Sequence, residues 1–132
     1  MQFLLDSDTC IYALKQNETI IERLLSTPRE DVMVSVITEA ELRTGAAKSS
    51  SPVKTLRLIE NFLGPLTMIE FTSADAIAYA TIRARLERAG TPIGPLDTLI
   101  AAQALARGLT VVSNNEREFR RVAGLGVENW LR

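Results

Sequence analysis

The sequence predicts an α/β fold: a mainly parallel central sheet flanked by helices on both faces. Short runs rich in apolar and β-branched residues recur along the chain, as in Phe3-Leu4-Leu5, Val32-Met33-Val34-Ser35-Val36 and Leu109-Thr110-Val111-Val112. Between them lie longer stretches with apolar residues at helical spacing, so the strands are joined by helical crossovers rather than hairpins, and crossovers make neighbouring strands parallel. The first run stops at an acid, Asp6, and ligands of open α/β sheets bind beyond the carboxyl ends of the strands.

Composition narrows the chemistry. The 132 residues suit one domain spanning 1–132, with a core drawn mainly from Leu, Ile, Val and Ala because aromatics make up only 5%. A formal net charge of −1 gives no general affinity for polyanions, so any nucleic-acid partner must be met by local basic residues. The chain has no histidine, which excludes Ser-His-Asp and Cys-His catalysis, histidine zinc sites and histidine-pair ribonuclease chemistry. Any hydrolase built here works with carboxylates. The one cysteine, Cys10, cannot form an internal disulfide and reads as a core residue in a reducing compartment. With no basic-then-apolar leader and no apolar run of about twenty residues, the expectation is a soluble cytoplasmic protein.

Taken in order, the first strand covers Gln2 to Leu5 and is followed by a short helix, Thr9 to Leu14. Glu18 to Leu25 has Ile20, Ile21, Leu24 and Leu25 on one face, and Pro28 closes the segment. Val32 to Val36 is the second strand, leading directly into a helix from Ile37 through Glu39 and Glu41. Two residues apart, these acids point about 200° away from each other around a helix. Glu41 abuts the buried side marked by Leu42 and Ala46, and Glu39 is expected outside. Ser49-Ser50-Ser51-Pro52 opens an amphipathic helix over Val53 to Leu63, a candidate dimer surface. Leu66 to Phe71 is the third strand, and Ser73 to Ala89 a long helix with Arg83, Arg85 and Arg88 on its polar face. Pro95 suits a first helical position, which puts Asp97 in the first turn of a helix running to Arg107. Leu109 to Val112 is the fourth strand, ending at Ser113-Asn114-Asn115. Glu116 to Arg121 is a short helical turn carrying Glu118, and Val127 to Trp130 a last edge strand with Trp130 closing the core.

Alone, each acid has a plain structural reading: Asp6-Ser7-Asp8 as a helix cap with an acidic first turn, and Asp97 as a complement to the helix dipole. Their order is more telling. Leu4-Leu5-Asp6-Ser7-Asp8-Thr9-Cys10, Ser35-Val36-Ile37-Thr38-Glu39-Ala40-Glu41-Leu42, Gly94-Pro95-Leu96-Asp97 and Val111-Val112-Ser113-Asn114-Asn115 through Glu118-Phe119 together resemble the PIN-domain nucleases. Within them, the pattern resembles the VapC-type toxins of bacterial toxin–antitoxin pairs, across essentially the whole chain. The resemblance implies that Asp6, Glu41 and Asp97 take the family's acidic positions, with Glu118 the nearest match to a fourth. Asn115 stands where many relatives have aspartate, Ser113 where a hydroxyl supports the first aspartate, and Asp8 departs from the usual asparagine. It further implies one or two Mg²⁺ ions, with Mn²⁺ able to substitute. The implied activity is endonucleolytic cleavage of structured RNA, transfer RNA first, to inhibit translation. A VapB-type antitoxin and a homodimer are also implied, with DNA met only through the antitoxin.

The residues agree with that chemistry. Hard divalent ions prefer oxygen ligands, and they both activate water and neutralise a phosphodiester. Arg43, Arg83 and Arg85 are weaker candidates for phosphate contacts. Two other readings compete. Asp6-Ser7-Asp8-Thr9 also matches the Asp-x-Asp-x-Thr nucleophile motif of haloacid-dehalogenase-like phosphatases, but the Ser113 strand follows Asp97 and no lysine occurs after Lys54. The other is a non-catalytic PIN-like binding module, in which the acids are caps and surface charge.

Overall fold

A computed structural model describes all 132 residues. Strand β1 (Phe3–Leu5) lies at the centre of a five-stranded sheet, between β2 (Val32–Ser35) and β4 (Thr110–Val112). Strands β3 (Thr67–Ile69) and β5 (Gly126–Glu128) form the edges, giving the order β3-β2-β1-β4-β5 with every pairing parallel. Leu5 is in register with Val34 on one side and Val112 on the other, so the three central strands reach the carboxyl edge in step. The next residues, Ser35, Asp6 and Ser113, therefore form a row at the carboxyl edge, and all three are buried.

Side chains alternate across the sheet and create two cores. On one face Leu5, Val34 and Val112 pack beneath α1 (Ser7–Leu14), α2 (Glu18–Leu25), α3 (Val36–Lys48) and α4 (Pro52–Leu63), with Trp130 sealing the group. On the other, Leu4, Met33 and Val111 meet α5 (Ser73–Arg88), α6 (Pro95–Arg107) and Phe119 of the short α7 (Glu116–Phe119). Ala101, Ala102 and Ala104 are fully buried, and their small size lets α6 lie close to the sheet. Gly108 ends α6 in the left-handed region at φ 67°, and Leu109 N–H bonds to the Ala104 carbonyl at 2.8 Å as the chain turns into β4.

The departures from the sequence-based boundaries have local causes. Helix α1 begins at Ser7 rather than Thr9 because Asp6 caps it, its carboxylate accepting from Thr9 N–H at 2.9 Å. Strand β2 stops at Ser35 rather than Val36 because the Ser35 hydroxyl accepts from Ile37 N–H at 3.0 Å and starts α3. Strand β3 is shorter than expected and β5 lies one residue earlier. Trp130 leaves the edge and is buried against Phe3, ring centroids 5.2 Å apart, with the Arg23 guanidinium over its ring. Glu39, expected to be exposed, is half-buried and accepts from Arg43 Nε at 2.9 Å. In α4, Ile59 and Leu63 face the core, while Val53 and Leu58 are exposed.

Asp75 is a buried charge at the start of α5. It accepts from Thr72 N–H at 2.7 Å and from Arg107 at the end of α6, whose guanidinium also reaches the Glu70 carbonyl at 3.0 Å. Burial alone would raise its carboxyl, but Arg107 and the Thr72 N–H outweigh that and hold it below the ordinary carboxylate range. The pairing thus contributes stability above the unfolded value of 3.8, and that contribution is lost as pH falls through the lowered folded value. Asp75→Asn should cost about 2 kcal/mol in urea unfolding at neutral pH. The cost should shrink as the unfolding is repeated in increasingly acidic buffer; a pH-independent cost would contradict this account.

Candidate active site

The site is built outward from Asp6. Asp6 is 4% exposed. Burial raises its pKa, the Ser113 hydroxyl and the Thr9 N–H oppose that rise, and the Asp8 charge adds to it. Its own N–H is held by the Val112 carbonyl at 3.1 Å, and the Thr9 hydroxyl donates to the same carbonyl at 3.0 Å. The end of β1 and the first turn of α1 are thereby fixed to β4.

Glu41 comes from the second turn of α3. It is half-buried, and one oxygen accepts from the Ser7 hydroxyl at 2.5 Å. Ser7 directly follows Asp6, so one turn of chain positions two of the acids. Glu41 also lines a hollow with Ile37, Ala40, Thr44 and Leu96, the last of these from the start of α6. Cys10, buried beneath, is pushed well above the thiol range by burial, then by the charges of Asp6 and Glu41.

Asp97 stands in the first turn of α6, where Pro95 opens the helix and the Thr98 hydroxyl donates to the Gly94 carbonyl at 2.8 Å. Its pKa is raised to about 6 by burial, by sharing a hydrogen bond with Glu118 and by the Asp6 charge; Asn115 acts in the opposite direction. Asn115 Nδ2 donates to Asp97 Oδ2 at 3.1 Å and to Glu118 Oε2 at 2.8 Å. Its backbone N–H donates to Ser113 Oγ at 2.8 Å.

Asp6, Glu41, Asp97, Glu118, Ser113 and Asn115 thus gather at the carboxyl edge of the sheet. Asp8 is exposed at the margin. The arginines are placed differently. Arg43, two residues beyond Glu41, is turned to Glu39 and Glu60. Arg83 donates to Tyr79 and Glu87 and lines a cavity that reaches Pro95 and Thr98, beside the first turn of α6. Arg85 lines a separate hollow with Leu105 and Arg121. Sequence reasoning missed Ser7 as the partner of Glu41. The two lie 34 residues apart, and only the packing of α1 against α3 brings them together.

No lysine or arginine forms an ion pair with any of the four acids. Carboxylate, hydroxyl and amide oxygens without imidazole or exposed thiolate are the donor set of a hard divalent cation. In the arrangement seen here no three of the acids converge into a ready coordination shell. Ser7 and Asn115 hold them instead.

Fold and site together define an α/β protein of the carboxylate-centred kind, its acids at the carboxyl edge of a parallel sheet. The PIN domain family model matches residues 3–125. A Salmonella typhimurium protein named tRNA(fMet)-specific endonuclease VapC is 40% identical over 130 residues, 98% of each chain. Ribonuclease VapC2 of Haemophilus influenzae is 39% identical over 131 residues, 99% of each. Among solved structures, DNA-bound VapBC from Salmonella typhimurium contains a chain with a TM-score of 0.94 and 42% identity, covering 98% of both chains. VapBC2 from Rickettsia felis, bound to a promoter DNA fragment, gives 0.93 and 33%, covering 98% of this chain and 99% of that one. The chain therefore belongs to the PIN-domain family, in its VapC branch. The haloacid-dehalogenase-like reading of Asp6-Ser7-Asp8-Thr9 is set aside.

The raised pKa of Asp97 has a thermodynamic consequence. A carboxyl whose folded value lies near 6 and whose unfolded value is 3.8 favours the fold below that interval and loses this contribution as pH rises through it. In chelator, Asp97→Asn should raise the melting temperature at neutral pH by a few degrees and flatten its decline between about pH 4 and 7. Parallel melting curves for the two proteins across that range would contradict the assignment.

Proposed function

We propose that this chain is the toxin of a toxin–antitoxin pair, an endoribonuclease that requires Mg²⁺, or Mn²⁺ in its place, and cuts structured RNA to inhibit translation. The observation that carries the reading is the gathering of Asp6, Glu41, Asp97 and Glu118 with no basic partner, in a chain 40% identical to a protein named as a tRNA(fMet)-specific endonuclease. Transfer RNA is accordingly the substrate class.

Asp6 and Asp97 would hold the cation directly, with Glu41 and Glu118 completing its surroundings or orienting water. One or two such ions, when bound, supply an activated water and neutralise the phosphate charge. The residues of the chain do the rest. Thr9 and Ser113 fix the Asp6 carboxylate by hydrogen bonds. Ser7 donates to Glu41 and fixes the orientation of its carboxylate. Arg83, at the rim of the cavity beside α6, is the best placed of the three arginines for a phosphate. Arg85 is second, and Arg43, committed to Glu39 and Glu60, is the weakest.

A VapB-type antitoxin is the inhibitory partner, and DNA is met only through it; the similar chains of Salmonella typhimurium and Rickettsia felis occur in DNA-bound VapBC complexes, which supports the pairing. A homodimer and a cytoplasmic location complete the proposal. No helix of the chain is long and apolar enough to cross a membrane.

Purified, antitoxin-free protein should cut a small set of transfer RNAs into discrete fragments in Mg²⁺ or Mn²⁺ and none in chelator. Asp6→Ala and Asp97→Asn should each lower the rate by about 10²-fold or more, in the range for removing a group that acts in the transition state. Full cleavage in chelator would sink the metal-dependent reading. A wild type that stays silent and shows no Mn²⁺-dependent rise in melting temperature would point to the binding module instead.

A further inference from the structure

We propose that Asn115 is a positioning residue that keeps the acid cluster assembled while no cation is bound, its side-chain amide bridging Asp97 and Glu118 in the cation's stead. This rests on the metal-dependent reading of the site.

The geometry is specific. A carboxamide carries two N–H donors, no charge and no titrating proton in the physiological range. Asn115 directs its Nδ2 at one carboxylate on α6 and another on α7, at 3.1 and 2.8 Å. Asn115 occupies the cap position of α7, but its side chain caps nothing. Its backbone N–H is held by Ser113 Oγ at 2.8 Å, and the Ser113 hydroxyl faces Asp6. One residue thus ties together three of the four acids, from the cap of α1, α6 and α7. Aspartate at the same place would offer only acceptors and add a charge to a cluster that no arginine or lysine neutralises.

Asp97 and Glu118 each direct an oxygen to Asn115. A cation that takes both carboxylates competes with those hydrogen bonds, so Asn115 stabilises the empty site and opposes loading by the same interaction.

The test compares Asn115→Ala and Asn115→Asp by melting temperature, in chelator and in saturating Mn²⁺ at neutral pH. In chelator the alanine variant should melt about 3 °C lower than wild type and the aspartate variant lower still. Adding Glu118→Gln to Asn115→Asp should recover at least half of that loss, because the added charge then has one neighbour fewer. In Mn²⁺ the aspartate variant should return to within about 1 °C of wild type and bind Mn²⁺ more tightly in a calorimetric titration. An aspartate variant as stable as wild type in chelator would overturn the proposal, since aspartate caps a helix as well as asparagine and a capping role predicts that result. Should Asn115→Asp not fold without metal, recovery of folding by Glu118→Gln is the predicted outcome and failure to recover overturns it. The chelator measurements contain no RNA and separate the two readings. A protein that never cleaves RNA yet shows this stability pattern loses the nuclease proposal and keeps this one. An active nuclease with a wild-type-like aspartate variant does the reverse.

Discussion

The carboxylate of Asp6 is buried at the end of a strand that is itself paired on both sides. A buried charge is costly unless donors or a cation meet it, and much of the local structure follows from meeting this one. Capping of α1 by Asp6 starts that helix two residues early and turns Ser7 toward Glu41. The Ser113 hydroxyl brings the end of β4 to the same carboxylate, and the Asn115 turn then reaches Asp97 and Glu118. Four acids, from the α1 cap, α3, α6 and α7, are thus connected through hydrogen bonds centred on one turn of chain.

The order of strands and helices was legible because it depends on local patterns. A β-branched run flanked by amphipathic stretches specifies a parallel strand whatever surrounds it. The three acids at strand ends and helix starts were legible for a related reason: Asp6, Glu41 and Asp97 each sit at a position that an α/β sheet directs toward its carboxyl edge. The arrival of the three central strands in step at that edge comes from register, which single-strand patterns do not contain. The pairing of Ser7 with Glu41 comes from helix packing across 34 residues, and the bridge from Asn115 to Asp97 spans 18. Trp130 was readable as a core residue, but its departure from the edge strand to pack on Phe3 was not.

The arrangement trades stability for chemistry. Asp75, buried at the start of α5, is neutralised by Arg107 from the far end of α6, and its carboxyl is held low. Asp97, near the other end of α6, has no lysine or arginine partner and is held high. A fold that can place an arginine against one acid leaves the other without one, and the unneutralised end is the end where the strands finish. Such unneutralised carboxylate charge is what the proposed cation site requires.

Anomalous diffraction from crystals grown in Mn²⁺ examines the proposed cation site without reference to activity. A peak is expected between Asp6, Glu41 and Asp97, with Glu118 beside it and Asn115 released from at least one of its two carboxylates. Saturating Mn²⁺ with no peak among these acids, or with one only elsewhere on the molecule, would contradict the proposed site.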